Sequence, residues 1–417
     1  MGYRIRVDDL AHPRYTEIQS AALAYGERHP VDLRVDAVLE ASVARTGLDD
    51  FGAPDFTARL ELWLSEMDDD PDRTGLGRLG FFNDCVRYAS NRLLIRDLLQ
   101  RHPEILDIQI DRPIVVVGLP RSGTTHLVNL IAADQRLRSM PLWEAHEPVP
   151  DPREASGAND DDPRWLRCQQ AWEAMEMTLP YLSAMHPMQP DHVHEELELE
   201  LPDFSSYTPE WVSRCPRWRD YYLAHDQTPH YAYLRTVLQI LQWIRPRDRW
   251  VLKSPQHLEQ LGPLLATFPD ATVVMTHRDP VSVVQSAATM MTYAARMGYR
   301  HPEPRFYIDY WTDRIRRLLE ASVRDRHLVP EGRSTDVLFH EFMSDDLGTV
   351  ERIYRAAGLS MTEEARGQIT AYRDAHPRGL DGQVVYDLRT DFEVTPDEVR
   401  AQFGFYLDRF PVAEEVS

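Results

Sequence analysis

The run Pro113-Ile-Val-Val-Val-Gly118 restricts this 417-residue chain more than any other segment. Four branched aliphatic residues in a row, closed by glycine and proline, fit a strand buried on both faces, and such strands belong to parallel sheets. The segment Gly118-Leu-Pro-Arg-Ser-Gly-Thr-Thr125 must then turn from that strand into a helix predicted over 124–133. A turn of this kind aims backbone N–H groups and the positive helix end at one spot, making an anion site. It approaches the phosphate-loop pattern G-x-x-x-x-G-K-[ST], yet Thr124 stands where lysine is expected and the cation has moved to Arg121.

Further strands are predicted at 250–252, 271–275 and 336–339, with helical patterns at 257–267, 281–296 and 346–357. Strand and helix in alternation require right-handed crossovers, so the fold class is α/β, a P-loop-type parallel sheet flanked by helices. Residues 1–110 carry helical periodicity at 31–45, 56–67 and 79–101 and read as a helical N-terminal region. The remainder, 111–417, reads as the α/β domain, with a helical insertion at about 150–245 that covers the carboxyl edge of the sheet, where ligands bind.

Acidic residues outnumber basic ones by 67 to 46, and the net charge of −21 repels nucleic acid and anionic membranes at long range. An anion must therefore be met by a locally basic pocket. No apolar stretch approaches the roughly 20 residues of a membrane helix. The N-terminus lacks the apolar core of a signal peptide and has Arg6 in the Ser/Thr position of a myristoylation signal, so a cytoplasmic location is expected. Cys85, Cys168 and Cys215 are too few and scattered for a disulfide framework and read as buried thiols. Of the 46 basic residues only Lys253 is lysine. A position that keeps lysine under such a bias calls for a compact, rotatable ammonium group.

A second constellation lies at His277-Arg-Asp-Pro-Val-Ser-Val-Val-Gln-Ser286. Asp279 suits an N-cap and Pro280 the first helical position. The seven steps from Asp279 to Ser286 turn through about 700°, which returns Ser286 to nearly the same face, and Arg278 and Ser286 can grip one anion. Together with the loop, this describes a ligand with phosphate-like groups at two ends. A P-loop kinase would need a magnesium carboxylate at a strand end, but the second strand ends in Lys253 and the third runs into Thr276-His277-Arg278. A kinase and a non-catalytic adenine-nucleotide-binding protein stand as the alternative readings.

These elements resemble the sulfotransferases that use 3′-phosphoadenosine 5′-phosphosulfate (PAPS), especially the bacterial and tyrosylprotein-type branch. The matching residues are Pro120 to Thr125, Val251-Leu-Lys-Ser-Pro-Gln-His257, Phe268-Pro-Asp-Ala271 and Arg278 through Ser286, with looser similarity from Tyr386 to Phe410. The resemblance implies that Arg121, Ser122, Gly123, Thr124 and Thr125 bind the 5′-phosphosulfate. It implies that Arg278 and Ser286 bind the 3′-phosphate, with Arg378 of Arg378-Gly379 closing over it, and that Lys253 steadies the leaving group. PAPS is then the co-substrate and PAP (adenosine 3′,5′-bisphosphate) the product. The chain departs from cytosolic members at Arg121, where they have lysine, at His126, where they stack tryptophan on adenine, and at Pro255, where they carry a catalytic histidine.

Sulfuryl transfer needs cations around the oxygen bridging to the 5′-phosphate, a role for Arg121 and Lys253, and requires no metal. It also needs a base for the acceptor proton. Glu144 lies near where tyrosylprotein-type members carry a glutamate base. His257 sits in a first helical turn, where the dipole favours neutral imidazole, and His194, Glu195 and Glu196 form a third choice. His192 and His194 are a weak metal signal. Met175, Met177, Met185 and Met188, with Trp172 and Tyr181, suit either an adaptable pocket or core packing. The expected acceptor is a hydroxyl on a small or lipid-like molecule.

Overall fold

The computed structural model describes residues 3–154, 162–377 and 382–417. One parallel sheet contains β1 (Ile114–Gly118), β2 (Leu137–Arg138), β3 (Arg249–Lys253), β4 (Thr272–His277) and β5 (Ser334–Leu338). Their spatial order is β2-β3-β1-β4-β5. Every residue of β1, β3 and β4 is buried, as the aliphatic run between two helical layers requires. Val116 pairs with Lys253 and Gly118 with Thr276, so the carboxyl ends of the three central strands lie side by side.

Helices α1 (Glu17–Arg28), α2 (Val35–Thr46), α3 (Phe56–Asp68) and α4 (Gly75–Arg101) precede the sheet. The first falls outside the periodic segments; its start is set by a capping box in which Thr16 and Gln19 satisfy each other's backbone N–H. This helical region shares the central core, for Ile5, Val7 and Leu10 cluster with Val115 and Val117. Arg4–Ile5 also pairs in parallel with Gln383–Val384.

Helix α5 (Thr124–Ala132) continues from the loop after β1, and β2, only two residues long, is too short to leave a sequence pattern. The insertion between β2 and β3 is helical, with α6 (Pro163–Thr178) and α7 (Thr228–Ile244) its longest members. Its Leu201, Phe204 and Trp218 pack with Trp63 of α3 and Phe81 of α4 in a second core. The helix expected at 257–267 is divided into a 3-10 turn, Pro255–Glu259, and a helix, Leu261–Thr267. Ser254 tightens that turn by accepting the Gln256 N–H. After β4 come α8 (Pro280–Gly298) and α9 (Pro304–Asp325), and α10 (Asp346–Ala356) follows β5. Asp279 caps α8 by accepting the Val281 N–H at 3.0 Å.

Gly118 ends β1 where the backbone passes directly against Thr276 of β4; a Cβ there would collide with the Thr276 hydroxyl. That hydroxyl shares a 2.9 Å hydrogen bond with Ser122 Oγ, so a displacement would reach the loop. Gly118→Ala is therefore expected to destabilise the protein by about 1–3 kcal/mol. Chemical denaturation checks this, and an unchanged midpoint would mean the strand ends can separate freely.

Candidate active site

Two left-handed residues shape the loop after β1. Arg121 has φ 64° and Gly123 φ 83°, the latter as the N-cap of α5. For a non-glycine residue this conformation costs roughly 1–2 kcal/mol. The Arg278 guanidinium opposes that cost by donating to the Arg121 carbonyl at 2.5 Å. Ser122 turns inward and donates to the Leu119 carbonyl at 2.6 Å, so its hydroxyl holds the loop rather than facing outward. Arg121 Nε donates to Ser286 Oγ at 3.0 Å, and its guanidinium also donates to the Met185 carbonyl. Ser286 Oγ shares a further 2.9 Å bond with the Tyr386 hydroxyl. The fold thus brings Arg121, Arg278 and Ser286 into one polar cluster.

Lys253 projects from the end of β3 and is 2% exposed. Its ammonium donates to Thr125 Oγ1 at 3.4 Å and to the Glu195 carboxylate. Its backbone N–H donates to Glu196 Oε2 at 2.7 Å. Glu196 Oε1 in turn accepts from His257 Nε2 at 2.6 Å, while His257 Nδ1 accepts from the Tyr231 hydroxyl at 2.6 Å. Both ring nitrogens of His257 are spent inside the protein, and the residue is 0% exposed. In this arrangement His257, one of the candidate bases, holds Glu196, and through it the Lys253 backbone.

Glu144, the first candidate base, is also engaged within the protein. Its carboxylate accepts from Arg138 at 2.8 Å and from Arg245 at 3.0 Å. Arg138 lies over the Trp250 ring at the amino end of β3, opposite the end that carries Lys253. A buried carboxylate held by two arginines there fastens the insertion to the sheet. Of the three choices, Glu195 is the one whose carboxylate reaches the Lys253 ammonium.

A cavity of about 620 Å³ opens beside these groups. Arg121, Gly123, Thr124, Thr125, Glu195 and Arg278 line its polar part. Met175, Leu179, Leu182 and Met188 of the insertion, Trp211, and Met290, Met291 and Met297 of α8 line much of its apolar part, and Arg73 and Asp84 also reach it. Of the singled-out side chains, Met185 is core, Met177 and Tyr181 are exposed, and Trp172 is buried away from the cavity. The methionines of α8 were hidden in sequence because they continue an ordinary apolar helix. His186, His194 and Glu198 also reach the wall. Desolvation pushes His186 well below the ordinary histidine range, and burial pushes neighbouring His146 down to about 3. Burial opposes ionisation of Glu198, but its bond with His194 and the nearby His146 and Arg87 bring it down to about 2.

His126 packs against the Phe342 ring, with centroids 5.4 Å apart, and does not line the cavity. Phe339, which the sequence reading did not single out, lies against Gly123 and beneath the Arg278 guanidinium, 4.0 Å from its ring centroid. Arg378 and Gly379, like most of the loop at 151–163, lie outside the described residues. Among the described residues no three His, Cys, Asp or Glu side chains are grouped to hold a metal, His192 and His194 included.

A buried parallel sheet whose first strand turns through an anion loop, with a lysine and an arginine at the neighbouring strand ends, defines a group-transferring enzyme of the P-loop type. Residues 113–363 match the Sulfotransferase family, and the chain belongs to it. It is 24% identical over 329 residues to the omega-hydroxy-beta-dihydromenaquinone-9 sulfotransferase Stf3 of Mycobacterium tuberculosis (strain CDC 1551 / Oshkosh), covering 72% of this chain and 75% of that protein. The crystal structure of sulfotransferase STF9 from Mycobacterium avium superposes with a TM-score of 0.82 at 25% identity, over 93% of this chain and 99% of that one. For STF1 from Mycobacterium tuberculosis H37Rv the TM-score is 0.76 at 28% identity, over 89% and 98%. The protein is a sulfotransferase with an α/β fold, and the kinase and non-catalytic readings are set aside.

The sole lysine allows a sharp test. Lys253→Arg keeps the charge but replaces a rotatable ammonium by a planar fork, so kcat is expected to fall about 100-fold while donor affinity changes less than about threefold. Steady-state kinetics with calorimetry separate the two, and a variant with full kcat would place Lys253 outside the reacting centre.

Proposed function

We propose that this sulfotransferase takes PAPS as donor and transfers its sulfuryl group to a hydroxyl on an apolar, lipid-like acceptor, without a metal. The carrying observation is that one cavity joins the loop cations and Glu195 to a methionine-rich apolar wall. Methionine side chains are flexible and polarizable and adapt to an extended apolar chain. The relative Stf3, by its name, sulfates a hydroxylated menaquinone derivative, which is an acceptor of this chemical class. The chain has no described helix long and apolar enough to cross a membrane, and we read it as working from the cytoplasm.

In this reading the loop N–H groups, Arg121, Thr124 and Thr125 hold the 5′-phosphosulfate, and Arg278 and Ser286 hold the 3′-phosphate. Arg378 is proposed to close over it. The acceptor oxygen attacks sulfur in line, the sulfur–oxygen bond to the 5′-phosphate breaks, and PAP leaves. Charge gathers on the bridging oxygen, where Arg121 and Lys253 meet it. Glu195 takes the acceptor proton. Lys253 holds that carboxylate in this structure, and an ammonium drawn to the bridging oxygen would free it.

Two outcomes are expected. Calorimetry should find PAP bound at least about 100-fold more tightly than ADP, with Arg278→Ala removing most of that preference, because ADP leaves the second cationic site unpaired. Equal affinities would exclude the two-anion arrangement. Glu195→Gln should lower kcat by about 100-fold or more and leave PAP affinity undiminished. A variant with wild-type kcat would return the search for the base to His194.

A further inference from the structure

Three of the five N–H groups of the Arg278 guanidinium are committed, and they include both donors of its side-on edge. One NH group holds the Arg121 carbonyl, while Nε and the other NH donate side-on to Glu415, at 2.8 and 2.6 Å. Phe339 stacks beneath the guanidinium and fixes its plane. Ser282, one turn into α8, donates to the same Glu415 carboxylate at 3.5 Å. The carboxylate therefore fills the bidentate edge by which a guanidinium grips a phosphate.

The segment that carries Glu415 is held in place. The Glu415 N–H donates to Asp279 Oδ2 at 2.8 Å, and Arg400 donates to the Val416 carbonyl at 2.5 Å. Val412 and Val416 pack against the main core. Asp279 thus caps α8 with one oxygen and anchors this segment with the other.

We propose that residues 411–416 form an intramolecular strap whose Glu415 carboxylate competes with the 3′-phosphate of the donor for Arg278. The proposal rests on the donor reading above. One guanidinium edge holds one anion, and a carboxylate and a phosphate side by side would repel, so donor binding has to displace Glu415. The same carboxylate returns when PAP departs and thereby assists product release.

The test is PAP binding by calorimetry to the full chain and to Glu415→Gln and Glu415→Ala, with Glu414→Gln as control because Glu414 is exposed and makes only a 3.8 Å contact with Arg400. Both Glu415 variants should bind PAP about five- to tenfold more tightly, a modest gain because the ion pair is partly solvated, and the control should match the full chain. In the Arg278→Ala background the gain should vanish. Hydrogen exchange supplies a reading independent of affinity: amides 411–416 should exchange faster when PAP is added. PAP binding that leaves both Glu415 affinity and strap exchange unchanged would overturn the strap while leaving the donor reading intact. No PAP binding by any variant would overturn the donor reading and the strap with it.

Discussion

The site depends on β1 being hydrogen-bonded on both sides by parallel strands. With β3 on one edge and β4 on the other, the loop after β1, Lys253 and Arg278 emerge side by side, although more than a hundred residues of chain lie between the loop and the other two. All three strands are buried throughout, so their register cannot slip without exposing aliphatic side chains or burying unpaired backbone groups. Gly118 completes the arrangement by letting β1 approach Thr276, whose hydroxyl then holds Ser122 and the loop.

Around this frame, the cations are restrained by the protein's own carboxylates. Lys253 is tied to Glu195, and Arg278 to Glu415. A buried or half-buried cation without a partner is costly, and a chain with net charge −21 has carboxylates to spare. The two pairs nevertheless differ in setting. Glu195 lines the cavity and is paired with Lys253, which sits on elements fixed by Glu196, His257 and Tyr231, whereas Glu415 sits on a short segment anchored by Asp279 and Arg400. The first pair suits chemistry at a fixed centre, and the second suits exchange of one anion for another.

Local patterns located the sheet well. The strands at 114–118, 249–253, 272–277 and 334–338 lie within two residues of their expected limits, because branched runs between turn residues have few other uses. The two-residue β2 and the capping-box helix α1 went unseen, since neither repeats long enough to make a period. Within the site, the loop and the Arg278 to Ser286 spacing were legible because one turn and one helix contain them.

The choice of base was of another kind. Glu144, His257 and Glu195 are all polar residues near a family motif, and nothing local tells them apart. Packing of the insertion decides that Glu144 meets Arg138 and Arg245, that His257 is enclosed by Glu196 and Tyr231, and that Glu195 reaches Lys253. Sequence by itself determined the parallel sheet, the turn after β1 and the spacing from Arg278 to Ser286, since each arises from residues within one strand, turn or helix. Only the tertiary structure decided which carboxylate faces the lysine and that Glu415 rests on Arg278, because those contacts join segments 58 and 137 residues apart.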